Sequence, residues 1–180
     1  MNVLKVRSHN REELVEFTDQ VQKKLTESGQ RDWTMLCYGN PKTLETYLEN
    51  IDKAVRGQPA NINIVNDTIT VCPNDAEVTC HCKDCRALWN PRGGQDGTAS
   101  KIVATFTARL AAEVQKRWPK LTVLQLAYFN YTDAPADLPP FPSNVEIQLC
   151  GMPGMAMFKE PTLRAHEQQA DTELDARDRE

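Results

Sequence analysis

The sequence predicts an α/β protein: a partial (β/α) barrel in which helices lie between parallel strands. Short apolar or β-branched runs alternate with longer segments of helical periodicity, in the order α-β-α-β-α-β-β over residues 1–158. Such alternation favours parallel βα units. Four of the predicted strands also end in turns that carry polar or reactive side chains. Because ligands bind at the carboxyl ends of the strands in these folds, we expect one functional site at that end of the sheet.

The first predicted element is a helix. It begins near Asn10, where Glu13 three residues later fits a capping box, and it ends at Gly29. An apolar stripe on one face is expected to pack against the core. The stripe consists of Leu14, Phe17, Val21 and Leu25.

A buried strand and a second helix follow. The apolar run Trp33–Tyr38 suits a strand that is covered on both faces. Asn40 then fits an N-cap, Pro41 fits the first helical position, and Gly57 ends the helix. The apolar stripe of this helix is predicted to consist of Leu44, Tyr47, Leu48, Ile51 and Val55.

The remaining elements are three strands and one long helix. The predicted strands cover residues 61–71, interrupted at Asn66–Asp67, and residues 121–129 and 144–150. A loop at 90–97 precedes the helix, which runs from about Thr98 to Trp118. The charged tail 159–180 lacks an apolar stripe, so we expect it to be flexible.

Composition and charge exclude several classes of partner. The 180 residues are enough for one domain with a real core. The formal net charge is -4, and phosphate binding needs clustered Lys and Arg, so no nucleic-acid partner is expected. No stretch approaches the ~18 consecutive apolar residues of a membrane helix, and the first residues lack the apolar run of a signal peptide.

The reactive side chains are concentrated in residues 71–85. The β-branched run Thr68–Val71 ends at the turn Pro73-Asn74-Asp75, and four of the six cysteines flank or follow that turn. A strand that ends in a carboxylate and then in a thiol cluster suggests the rim of an active site. We therefore predict that the protein is organised around this stretch.

Three of the cysteines form a C-x-C-x2-C pattern: Cys80, Cys82 and Cys85. As thiolates they are candidate ligands of a structural zinc ion. The candidates for a fourth ligand are Cys37, Cys72 and His81. The alternatives are buried free thiols or one local disulfide. The sequence requires no other cofactor.

Five segments carry a resemblance to a known family. They are residues 36–41, 73–75, 80–88, 127–132 and 144–150. In this order they resemble a large bacterial family of domains of unknown function that is related to α-glucuronidase-like barrels. Some members of that family are classed as family 163 glycoside hydrolases, which act as endo-β-N-acetylglucosaminidases on N-glycans. The resemblance extends over about residues 33–150.

The resemblance implies a barrel segment that hydrolyses glycosidic bonds in glycans containing N-acetylglucosamine or uronic acid. A complete barrel has about 250 residues, so this chain would hold only part of one, and an inactive fragment is one interpretation. A partial barrel leaves a strand edge unpaired, from which we expect self-association. Relatives in this family are often exported from bacteria.

Asp75 and Asn74 are the candidate catalytic residues. Glycoside hydrolysis needs a pair of carboxylates, and a residue at a strand end could instead orient a 2-acetamido group that acts as the nucleophile. Glu77 and Asp133 are the nearest candidates for the second carboxylate. The alternative is that Asn74 and Asp75 only form an Asx turn.

Three aromatic residues are candidate substrate-binding residues: Tyr128, Tyr131 and Trp89. Aromatic faces stack on the C–H groups of sugars through apolar contact. Side chains alternate along a strand, so at least one aromatic among Tyr128, Phe129 and Tyr131 is expected in the core.

The alternative function belongs to a different class. The chain would then be a non-catalytic, cysteine-stabilised α/β module that binds a glycan or another protein. A second carboxylate within about 5–10 Å of Asp75 would favour the enzyme. The barrel interpretation carries one further expectation from the predicted parallel sheet. The residues expected together at one end of it are Cys37, Cys72, Tyr128 and Cys150.

Overall fold

The computed structural model describes residues 23–73, 76–135 and 137–150. The elements in chain order are β1 (Lys23–Leu25), β2 (Arg31–Leu36), α1 (Pro41–Val55), β3 (Thr68–Val71), α2 (Lys83–Leu88), α3 (Gly94–Gly97), α4 (Ser100–Arg117), β4 (Thr122–Ala127), a 3-10 turn (Phe129–Tyr131) and β5 (Val145–Leu149). The described residues up to Leu149 belong to one compact unit. Cys150 is the first residue of a second unit and the one residue of that unit that is described.

The strands form two sheets. β1 pairs with β2 in an antiparallel hairpin, whose turn contains Gly29 with a φ of +82°. β3, β4 and β5 form a parallel sheet in that order. The predicted α/β class with parallel strands and intervening helices is therefore confirmed for these three strands. The described residues form an open three-stranded sheet and not a closed barrel.

Two predictions about the first elements are wrong: the helical stripe that included Leu25, and the place of Cys37 at the end of the parallel sheet. Leu25 lies in β1, opposite Arg31, and not in the stripe of a helix. The reason is the tight turn, in which the Thr26 backbone N–H donates to the Gln30 carbonyl at 2.7 Å and aligns the two strands. The part of that predicted helix before residue 23 lies outside the described residues. The pairing with β1 also places Cys37, which follows β2, outside the parallel sheet.

The second predicted helix is confirmed as α1. The Asn40 side-chain oxygen accepts a hydrogen bond from the Lys42 backbone N–H at 2.9 Å, and Pro41 is the first helical residue. Gly57 follows the helix with a φ of +68°, a conformation that glycine adopts without steric cost. The predicted stripe is buried or half-buried except at its end, where Val55 is 46 % exposed.

The strand predicted over residues 61–71 is shorter in the structure. Asn66 and Asp67 have φ values of 50° and 57°, and they form a two-residue turn between Val65 and Thr68. Asn and Asp tolerate this left-handed conformation better than most residues. The predicted interruption is therefore confirmed, and only Thr68–Val71 remains as β3.

The second half of the chain follows its prediction with smaller differences. The long helix is α4, which begins at Ser100 and ends at Arg117, and the loop at 90–97 contains the one-turn helix α3. β4 ends at Ala127, because Phe129 has a φ of +45° and starts the 3-10 turn. β5 lies within the range predicted for the last strand.

The core lies between the helices and the parallel sheet. The ring of Phe106 in α4 contacts Tyr38 and Tyr47 edge to face, at centroid distances of 5.0 and 5.1 Å. Alternate residues of β3 and β4 are buried, as expected for strands covered on one face. None of the described helices combines the length and the apolar character needed to span a membrane.

The sheet edge at β5 is more exposed than the core strands. Ile147 is 49 % exposed and Leu149 is 65 % exposed. In the described part of the chain β5 pairs with β4 on one side. Self-association through this edge stays a prediction.

Candidate metal centre and ligand cleft

Four cysteines from separate segments meet in one cluster. Cys37 follows β2, Cys80 and Cys82 lie in the extended segment before α2, and Cys85 lies in the first turn of α2. All four sulfur atoms lie within 4.8 Å of one another. The Cys37 sulfur lies 3.4 Å from that of Cys82 and 3.7 Å from that of Cys85. We call these four residues the cysteine cluster.

The sulfur spacing of the cysteine cluster suits a metal ion. Zinc–sulfur bonds of about 2.3 Å in a tetrahedron place neighbouring sulfurs about 3.8 Å apart. A disulfide requires about 2.05 Å, and all six cysteines are free. Four cysteines this close together could hold a metal ion. The three predicted ligands are joined by Cys37, one of the three residues expected as the fourth, and not by Cys72 or His81.

Backbone N–H groups donate to two of the sulfur atoms. The Leu25 N–H donates to the Cys80 sulfur at 3.4 Å, and the Cys85 N–H donates to the Cys82 sulfur at 3.4 Å, so that Cys82 caps α2. His81 donates its backbone N–H to the Leu25 carbonyl at 2.8 Å. The bond from the Leu25 N–H favours the charged thiolate form of Cys80 and lowers its pKa. The two bonds with Leu25 also attach the cluster to the β1–β2 hairpin.

Cys37 is held by the start of α1. Its carbonyl accepts hydrogen bonds from the Asn40 N–H at 3.1 Å and from the buried Thr43 hydroxyl at 2.8 Å. Gly39 allows the close approach of α2, since a Cβ atom there would lie 2.9 Å from the Cys85 sulfur and 3.0 Å from its backbone nitrogen. A side chain at position 39 would therefore push α2 and Cys85 away from Cys37.

The charges of the sulfurs depend on each other. The hydrogen bonds with Cys37 and then Cys85 lower the pKa of the Cys80 thiol. The hydrogen bond with Cys80 raises the pKa of Cys37, and the bond with Cys37 raises the pKa of Cys85. Proton-bearing sulfurs thus stabilise one thiolate. All four can be thiolates together only if a cation replaces the protons.

The loop between β3 and the cysteine cluster is held by an asparagine. The buried Asn130 side chain accepts a hydrogen bond from the Val78 N–H and donates one to the Val78 carbonyl, both at 3.0 Å. Asn74 and Asp75 lie outside the described residues, but Pro73 and Val78 on either side are buried. Asn130 was not among the site residues predicted from the sequence. The available signal was its place in the segment 127–132, directly after β4.

The parallel strands bring two further predicted residues to the same end of the sheet. Cys72 follows β3 and Tyr128 follows β4, and these strands are parallel neighbours. The Cys72 sulfur donates to the Pro73 carbonyl at 3.0 Å and is not part of the cysteine cluster. Of the four residues expected at this end, Cys37 follows a strand of the other sheet and Cys150 belongs to the second unit.

The candidate aromatic residues lie in different environments. Tyr131 is 1 % exposed and packs in the core, where at least one of the aromatics was expected. Tyr128 is half-buried and its ring lies 4.1 Å from that of Phe129. Trp89 is half-buried at the end of α2 and lines a cleft. The substrate-binding roles of Tyr128, Tyr131 and Trp89 stay predictions.

The cleft has a volume of about 410 Å³, within the range of small-molecule sites. We call it the α4 cleft because it opens beside the first residues of α4. Trp89 and Asp133, both candidates from the sequence, line it together. Glu77, the other candidate carboxylate, is exposed and is not one of the described residues that line the cleft. The principal polar and aromatic lining residues are Trp89, Asn90, Ser100, Lys101, Asp133 and Asp137.

Two of these lining residues form an ion pair. The Lys101 ammonium group contacts the Asp137 carboxylate, and the hydrogen bond from Lys101 lowers the pKa of Asp137. Lys101, Asp137 and Ser100 were not among the site residues predicted from the sequence. Only the fold brings the start of α4 beside the segment after the 3-10 turn, so no local pattern could have found them.

Fold and site together define a mixed α/β protein with a parallel sheet and a four-cysteine cluster that could hold a metal. The chain belongs to the family described as Domain of unknown function (DUF4838), whose model matches residues 24–175. The predicted membership of a family of unknown function is thus confirmed. No curated protein and no solved structure matches this chain. The link to α-glucuronidase-like barrels and to family 163 glycoside hydrolases stays a prediction.

Proposed function

We propose that the cysteine cluster binds one structural zinc ion, which holds the segment between β3 and α2 against the β1–β2 hairpin. The observation that carries this proposal is the meeting of four sulfur atoms within 4.8 Å. Four thiolates would fill all four positions of tetrahedral zinc and leave none for water or substrate. The ion would therefore stabilise the fold and take no part in catalysis.

The position of the cysteine cluster supports a structural role. Three of its members are buried and Cys82 is half-buried, so the ion would be shielded from solvent. The ion would also link Cys37 to a segment that follows it at a long distance in the sequence. Closing such a loop is unfavourable for the free chain, so a bound ion adds its binding free energy to the stability of the fold.

Metal analysis tests the zinc proposal. Protein purified without chelator is expected to contain about one zinc ion per chain. Replacement of zinc by Co²⁺ is expected to produce the absorption bands of tetrahedral thiolate coordination. A local disulfide would instead appear as two missing thiols under denaturing, non-reducing conditions. Six titratable thiols, with no metal bound even after refolding in the presence of zinc, would contradict the proposal.

The second candidate function is hydrolysis of glycosidic bonds in glycans that contain N-acetylglucosamine or uronic acid, with Asp75 as a catalytic residue. It is favoured by the parallel pairing of β3 and β4. Because the strands are parallel, the segment after β3 begins at the same end of the sheet at which Tyr128 follows β4. The bonds of Asn130 and the cysteine cluster would hold that segment in place. The alternative remains a non-catalytic module that binds a glycan or a protein.

Activity measurements separate these possibilities. We expect the chain to cleave an N-glycan or an aryl N-acetylglucosaminide, and Asp75→Asn to lower kcat/KM by about 10²–10⁴-fold, as for the loss of a general acid or base. The zinc content should not change. Asp67→Asn is a matched control, because Asp67 lies in a turn before β3 where Asn is also tolerated. Glycan binding without hydrolysis would favour the module, and neither binding nor hydrolysis would contradict both.

A further inference from the structure

The lining of the α4 cleft combines an aromatic side chain with polar groups. Trp89 and Leu88, at the end of α2, line the cleft. Asp133, Pro135 and Asp137 line the cleft from the segment after the 3-10 turn. The cleft thus presents an indole and aliphatic groups beside carboxylates. This mixture suits a ligand that has both an apolar face and several polar groups.

One buried polar atom in the lining lacks a partner. Ser100 is 4 % exposed, and its hydroxyl oxygen has no hydrogen-bond partner among the described residues. A buried hydroxyl without a partner is unfavourable, so a ligand or a bound water is expected to complete it. Ser100 is the first residue of α4, and Ala99 before it provides no side-chain cap. The Ser100 hydroxyl at the start of α4 is therefore the polar group that needs a ligand or water partner.

The charges in the cleft argue against an anionic ligand. Among the described residues Lys101 is the one cation that lines the cleft, and it pairs with Asp137. Asp133 adds a further negative charge beside Gly97, where a Cβ atom would lie 3.3 Å from the carboxylate oxygen. Phosphate, sulfate or carboxylate groups would meet net repulsion here. A neutral ligand that donates hydrogen bonds to carboxylates is favoured instead.

We propose that the α4 cleft binds a neutral pyranose ring, with Trp89 in contact with its apolar C–H face and Asp133 accepting hydrogen bonds from its hydroxyl groups. A sugar ring has the required apolar face and hydroxyl edge. The cleft volume of about 410 Å³ accommodates one or two such rings. The inference deepens the glycan function proposed above and rests on it. It adds which residues form the sugar-binding site.

Nuclear magnetic resonance of the full chain tests this proposal with N,N′-diacetylchitobiose as the probe. We expect shifts of the Trp89 indole N–H and of the backbone amides of Gly93, Gly97 and Ser100, which line the cleft. Sorbitol, which has hydroxyl groups but no ring face, is the matched control and should cause no such shifts. Saturating sugar that leaves these signals unchanged would overturn the proposal.

Two substitutions check the roles of the residues. Trp89→Leu is expected to weaken binding by about tenfold or more, whereas Trp89→Phe keeps an aromatic face and should retain most of the affinity. Asp133→Asn keeps the shape and removes the charge, so it should also weaken binding without unfolding the chain. Asp52→Asn on α1, outside the cleft, is the control. Equal affinity in Trp89→Leu, Asp133→Asn and the control would contradict the assignment.

The result can be separated from the other proposals. Sugar binding in the cleft without hydrolysis would leave this inference intact and contradict the hydrolase. Hydrolysis without any change in the signals of the cleft residues would support the hydrolase and contradict the sugar site in the α4 cleft. Zinc content is measured on the same samples, so a loss of sugar binding in a zinc-containing, folded variant cannot come from loss of the metal centre.

Discussion

Cys37→Ser is expected to abolish stoichiometric zinc binding and to lower the melting temperature by about 8–16 °C. Changes to groups that only support a metal ligand cost about 10–100-fold in affinity, so loss of a ligand should cost more than about 100-fold. An ion present at 1,000 times its dissociation constant stabilises the folded chain by about 4 kcal/mol. For a chain of this size each kcal/mol corresponds to about 2–4 °C.

The measurement is a thermal melt with and without added zinc, together with metal analysis of the purified variant. Cys72→Ser is the matched control, because Cys72 is half-buried and lies outside the cysteine cluster. Cys72→Ser should still bind zinc, and added zinc should still raise its melting temperature. Metal binding is also expected to weaken as the pH falls, because protons compete for the thiolates. Equal metal content in Cys37→Ser and Cys72→Ser would contradict the cluster assignment.

Asn130→Ala is expected to lower the free energy of unfolding by about 2–6 kcal/mol. The substitution leaves the N–H and the carbonyl of Val78 without partners, and each unsatisfied buried group costs about 1–3 kcal/mol. Because these two bonds hold the segment between β3 and the cysteine cluster, hydrogen exchange of residues 76–80 should also become faster. Denaturant unfolding and hydrogen exchange measure the two effects.

Asn144→Ala provides the comparison. The Asn144 side chain donates one hydrogen bond, to the Ala111 carbonyl at 3.1 Å, so its loss should cost about half as much. It lies far along the chain from the segment after β3, where exchange should stay unchanged. If Asn130→Ala were no more destabilising than Asn144→Ala, and exchange at residues 76–80 were unaffected, Asn130 would not hold this segment.

The local elements could be predicted because each depends on neighbouring residues. The N-cap at Asn40 and the stop at Gly57 define α1 through backbone geometry and side-chain hydrogen bonds within a few residues. The turn at Asn66–Asp67 follows from the same local preferences. The failure at Leu25 shows the limit. Its helical periodicity was outweighed by the tight turn at residues 26–30, which pairs Leu25 with Arg31 of β2.

The ligands of the candidate metal centre were likewise predicted in part from the sequence and in part decided by the fold. The sequence by itself determined three candidate ligands, because the spacing of Cys80, Cys82 and Cys85 keeps their sulfurs close in almost any compact conformation. Only the tertiary structure selected Cys37, because that choice depends on Gly39 allowing the chain after β2 to approach α2. The bonds between Asn130 and Val78 and the lining of the α4 cleft were likewise decided by the fold. Each joins residues far apart in the chain, and packing and hydrogen bonding bring such residues together only in the folded protein.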